Sequence, residues 1–128
     1  PQGVDFVLKN FQRMHGGEIF IPKIPSIKVV DLAKAMAPEM PQKVIGIRPG
    51  EKLHEQMISS EDSNTTYEYR NYFKILPQIN DWDNDTNRIK DGLKVSEGFV
   101  YSSENNKEWM AKKDLQKWID TNKNSLTE

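Results

Sequence analysis

Val4, Val7, Leu8, Phe11 and Met14 recur at helical spacing and predict an amphipathic helix over residues 3–15, which Gly16-Gly17 stops. Glu18-Ile19-Phe20-Ile21 then reads as a short strand ended by Pro22 and Pro25. Ser26 is the expected N-cap of a second helix that carries Val29, Val30, Leu32, Ala33 and Met36 on its apolar side, with Pro38 and Pro41 ending it. Val44-Ile45-Gly46-Ile47 is the expected second strand, leading into an Arg-Pro-Gly-Glu turn and a short helix through Leu53, Met57 and Ile58. A strand, a helix and a strand in that order suit two parallel strands.

The second half is less regular. Residues 59–66 are polar and predict a loop, whereas 67–76 alternate as a strand would. Residues 77–92 are turn-rich and predict a mobile loop, centred near Asp81 to Asp91. Phe99-Val100-Tyr101 reads as a last strand. Trp109, Leu115, Trp118 and Ile119 suit a closing amphipathic helix over residues 111–121, with Trp118 expected in the core and Trp109 divided between core and stacking.

Composition narrows the function classes. With 128 residues, 36% hydrophobic and 29% charged, the chain can bury one core, and a single domain over residues 1–128 is expected. Eighteen basic residues against 19 acidic ones leave a net charge of -1, which offers no basic field for nucleic acid and no cationic face for a membrane. No long apolar run, signal-peptide pattern or cysteine occurs, so a cytoplasmic protein is expected.

Arg48-Pro49-Gly50-Glu51 is the candidate for chemistry. Pro-Gly reverses the chain, and brings a guanidinium and a carboxylate together at a strand end. An arginine fork matches the oxygens of a phosphate or pyrophosphate, and a carboxylate accepts from vicinal hydroxyls such as those of a ribose. The alternative is a surface turn that carries a salt bridge. Other constellations fall away. Asp81-x-Asp83-x-Asp85 has Thr86 and Gly92 where a calcium loop requires glycine and glutamate. His54-Glu55 lacks the second histidine of a zinc helix, so no metal ligand is assigned. No Gly-x-Gly-x-x-Gly follows an opening strand, and no tyrosine has a lysine four residues on, so no catalytic or cofactor-binding residue is assigned either.

Five separated segments carry a family resemblance: Gly3-Val4-Asp5-Phe6-Val7-Leu8, the run from Gly16 to Ser26, Asp31-Leu32-Ala33, Arg48 to Glu55, and Tyr101-Ser102-Ser103-Glu104-Asn105-Asn106 with Glu108-Trp109-Met110. In this order they resemble the carboxy-terminal part of the inverting UDP-N-acetylglucosamine 4,6-dehydratases of pseudaminic acid biosynthesis, which are extended short-chain dehydrogenase/reductase proteins. The resemblance implies an α/β or α+β fold, the small C-terminal substrate-binding portion of such an enzyme, lacking most of the Rossmann domain. It implies that Arg48 contacts the pyrophosphate of a UDP-sugar and Glu51 the ribose hydroxyls, while Lys23 and Lys52 help neutralise phosphate or stay as solvated lysines. NADP is implied for the intact parent enzyme, with none bound by this portion. The implied partners are the UDP-sugar and the missing N-terminal Rossmann domain. The chain alone is expected to be inactive and, with apolar surface uncovered, to form a homodimer or domain-swapped dimer. The rival expectations are a stand-alone binding or oligomerisation module and a regulatory fragment. Ala111 stands where the family has a capping serine or threonine, a departure that by capping magnitudes costs about 1 kcal/mol.

Overall fold

A computed structural model describes residues 2–78 and 85–122 of the chain. The elements run α1 (Gln2–Phe11), β1 (Ile19–Pro22), α2 (Val29–Met36), β2 (Gln56–Ile58), a 3-10 helix (Glu61–Thr65), β3 (Thr66–Glu68), β4 (Tyr72–Ile75), α3 (Thr86–Ile89), β5 (Leu93–Lys94), β6 (Tyr101–Ser102) and α4 (Lys112–Asn122). The fold is α+β. The chain divides into two compact units: one takes the residues up to Lys23 and Gln56–Ser102, the other Ile24–Glu55 and the residues from Ser103 on.

The first unit is built on a four-stranded sheet in the order β1-β4-β3-β5, every ladder antiparallel. The three residues Tyr69, Arg70 and Asn71 join β3 to β4, too few for a parallel crossover, and the Tyr69 N–H closes the hairpin on the Tyr72 carbonyl at 2.9 Å. The predicted single strand over 67–76 is thus a hairpin. β2 pairs with β6, so Met57 and Ile58 lie on a strand where a helix was expected. Their alternation explains it, since Met57 faces out and Ile58 is buried. Ile21, Ile58, Phe73, Ile75 and Tyr101 form the core, with Val95 and Phe99 packed against it.

Helix α1 forms over Gln2–Phe11 with its apolar stripe uncovered. Val4, Val7, Leu8 and Phe11 are exposed, and the inward positions are Phe6, whose ring meets Tyr72 edge-on, and the buried Asn10. The segment expected to be mobile is partly described. Asp85 caps α3, accepting from the N–H groups of Asn87 and Arg88 at 2.9 and 3.3 Å, while 79–84 lie outside the described residues.

In the second unit, Leu115 and Ile119 are the buried residues of α4, and Lys112 pairs with Asp31 of α2 at 3.2 Å. Trp118 is exposed rather than core. Helix α2 ends where Pro38 requires, because the residue before a proline avoids helical geometry. Its start differs from expectation, since Lys28 holds the cap position and no side chain caps it. Ser26 instead forms a parallel bridge with Trp109, donating its N–H to the Glu108 carbonyl and accepting at its own carbonyl from Met110. At α4, Ala111 precedes the first helical residue and its carbonyl accepts from Leu115, but a methyl side chain cannot cap.

The expected strand Val44–Ile47 is absent. These residues have no regular structure, and Val44 is 90% exposed. Gly46 has a φ of 85°, a left-handed value that breaks an extended run, and among the described residues no backbone hydrogen bond holds 44–47. Without that strand, no parallel pair of strands forms around α2 among the described residues, which corrects the expected parallel arrangement.

Candidate functional site

The Arg48 turn closes on itself. The Glu51 N–H donates to the Arg48 carbonyl at 3.1 Å, and Gly50 supplies a φ of 87° at the third position, as a turn with proline second and glycine third demands. The Glu51 carboxylate folds back to accept the Arg48 N–H at 2.9 Å. This leaves the Arg48 side chain 71% exposed, with its Nε 3.9 Å from the Glu51 carboxylate and no other partner among the described residues. A backbone-capped turn therefore presents a guanidinium with most of its donors open, which suits an anion with several oxygens. Glu51 keeps lone pairs free but owes one hydrogen bond to the turn. Lys52 is exposed two residues beyond the glycine.

Lys23 belongs to the first unit, and its ammonium is committed. It pairs with Glu68 at 2.6 Å and sits 4.9 Å from the centre of the Phe73 ring. Arg48, Glu51 and Lys52 share one loop of the second unit, so the structure brings three of the four candidate residues together.

Two polar centres escaped the sequence reading. The first is around Glu18, whose buried carboxylate accepts the N–H groups of His15 and Gly16 at 2.9 and 2.7 Å and pairs with Arg88 at 3.2 Å. Burial works to raise its pKa, but these backbone hydrogen bonds and the Arg88 charge prevail and hold it below the ordinary carboxylate value. Arg88 is in turn paired with Asp85 at 3.2 Å. Lys74, also buried, donates to the Arg88 carbonyl; burial lowers its pKa, opposed by Glu18 and reinforced by Lys90, Arg13 and Arg88. The Glu18 carboxylate therefore already occupies the N–H groups of His15 and Gly16 at this turn. Those two N–H groups are thus not open to a dinucleotide pyrophosphate.

The second centre is Asn106. Its Nδ2 donates to the Ile24 carbonyl at 2.7 Å and to Ser26 Oγ at 3.0 Å, its Oδ1 accepts the Glu108 N–H at 3.0 Å, and its carbonyl accepts Trp109 Nε1 at 2.9 Å. The signal was there in Asn106-x-Glu108-Trp109, a side-chain turn of the kind asparagine favours. Replacing Asn106 by leucine leaves the Ile24 carbonyl and the Glu108 N–H without this partner, and thermal unfolding should show a loss of about 1–3 kcal/mol.

Comparison with known proteins places this chain in a lineage. Residues 1–77 match the profile of the family described as polysaccharide biosynthesis protein. The chain belongs to that family. As a polysaccharide biosynthesis protein it is 60% identical over 118 residues to an inverting UDP-N-acetylglucosamine 4,6-dehydratase of Campylobacter jejuni subsp. jejuni serotype O:2, a match covering 88% of this chain and 35% of that enzyme. Identity to the same-named enzyme of serotype O:23/36 is 57% with the same coverage. A UDP-glucose 4-epimerase of Rickettsia massiliae is 38% identical over 76 residues, 56% of this chain and 22% of the epimerase. The chain spans about a third of the length of the dehydratases it matches. The X-ray structure of Pen from Bacillus thuringiensis shares the fold, with a TM-score of 0.76 over 95% of this chain and 36% of that one at 24% identity. Among the described residues, no helix of this polysaccharide biosynthesis protein is long and apolar enough to cross a membrane.

Proposed function

We propose that this polysaccharide biosynthesis protein is the nucleotide-sugar-binding portion of an inverting UDP-N-acetylglucosamine 4,6-dehydratase of bacterial surface polysaccharide or flagellin glycan synthesis. The observation that carries the reading is the exposed Arg48 guanidinium on a turn capped by Glu51, within the stretch that matches the family. In this reading Arg48 binds the diphosphate of a UDP-sugar, Glu51 accepts from the ribose hydroxyls with the oxygen lone pairs the turn leaves free, and Lys52 adds charge. Lys23, paired with Glu68, contributes least. NADP and the groups that move hydride and protons belong to the part of the parent enzyme outside these 128 residues, so this portion does not dehydrate the sugar alone.

Titration of the 128-residue chain with UDP, followed by amide NMR, tests the reading. Shifts at Glu51 and Lys52 with none at Lys23 are expected, together with no dehydration of UDP-N-acetylglucosamine in the presence of NADP. A chain that takes up no UDP sinks the binding assignment, and turnover above background sinks the assignment of chemistry to the absent portion.

A further inference from the structure

The Tyr101 to Met110 motif contains no group placed at the Arg48 turn by sequence, yet one of its hydroxyls reaches the loop that follows it. Ser103 Oγ accepts the Glu55 N–H at 3.2 Å and lies 3.2 Å from His54 Nδ1. The Ser103 N–H donates to the Glu55 carbonyl at 2.8 Å, and the Ser103 carbonyl accepts from Ser26 Oγ at 3.4 Å. One residue thus ties His54 and Glu55 to the Ser26 bridge inside the second unit. At its amino end the turn hangs on residues 44–47, which no backbone hydrogen bond holds, so the anchor at Ser103 is the fixed end of this loop among the described residues.

We propose that Ser103 is a positioning residue for the Arg48 turn: its hydroxyl fixes the loop end at His54-Glu55 so that the guanidinium is held in one place for an anion. The inference rests on the diphosphate reading of Arg48. It also explains why the Arg48 to Glu55 run and the Tyr101 to Met110 run occur in one chain, since the second carries the peg for the first. A loop held at one end samples fewer conformations, and ordering lost before binding must be restored on binding.

The test uses the full 128-residue chain with Ser103→Ala and Ser103→Thr. Amide exchange at Glu51 and Glu55 should speed up about tenfold in Ser103→Ala, by the loss of local protection, while the amides of β3 and β4 keep their rates. Titration with UDP should show affinity lower by roughly twofold to thirtyfold, the range for a residue that acts through a network rather than by contact. Threonine keeps an oxygen at the same place and should restore both readouts, which a loss of general packing would not do. Unchanged exchange at Glu51 in Ser103→Ala overturns the proposal, whatever UDP does. A separate Arg48→Ala titration judges the diphosphate reading by itself.

Discussion

Arg88→Ala should destabilise the first unit by about 3 kcal/mol, read as a lowered urea midpoint with an unchanged slope. The side chain of Glu18 is 0% exposed and that of Arg88 12%, so removing the guanidinium strands a carboxylate that bulk water does not reach. The expectation lies at the lower end of the range for breaking a buried pair, because the His15 and Gly16 N–H groups still hold Glu18. pH sharpens the test. The folded pKa of Glu18 lies below its ordinary value of 4.5, so its contribution is complete above that value and is lost as the pH falls through the depressed one. Removing the Arg88 charge raises the folded pKa, and the acid transition should move to higher pH in the variant. An acid transition and urea midpoint equal to those of the unaltered chain would show the pair to be incidental.

Arg48→Ala should weaken UDP binding roughly tenfold to hundredfold, the loss of charge-assisted hydrogen bonds worth about 1.5–3 kcal/mol. Stability should hardly move, because an exposed ion contact at 3.9 Å contributes little in water. On the proposed reading, the same substitution in an intact dehydratase should appear mainly in KM, and also in kcat if remote binding energy orients the sugar. Glu51→Gln should cost less, since an amide oxygen still accepts the Arg48 N–H that closes the turn. Unchanged affinity with a lowered melting temperature would make the turn a purely structural one.

The contrast between these two residues shows what could be read in the sequence. Arg48, Pro49, Gly50 and Glu51 are neighbours, their geometry is set by local rules, and the turn stands as expected. The stop of α2 before Pro38 and the span of α4 are local in the same way. Glu18 and Arg88 lie 70 positions apart, and no periodicity announces a pair that only the β1-β4 register and the Asp85 cap bring within reach. Ser26 was expected to cap α2, but it belongs to the bridge with Trp109, a partner far along the chain. Val44–Ile47 has the composition of a strand, yet a strand exists only where a neighbour takes its hydrogen bonds, and composition does not reveal neighbours. The apolar stripe of α1, by contrast, was legible from its spacing, and it stands uncovered as an uncovered apolar surface was expected to.

That unheld stretch gives Arg48 a second duty. Val44, Ile45 and Ile47 form an apolar, β-prone run open to solvent, the kind of segment through which chains stick to copies of themselves. Lys43 stands at one end and Arg48 at the other, so stacking two copies in register sets like charges against each other at both ends. On the proposed reading, the side chain that meets a diphosphate would also guard this run against self-association. Arg48→Lys should therefore separate the two duties: the ammonium keeps the guard while losing the fork.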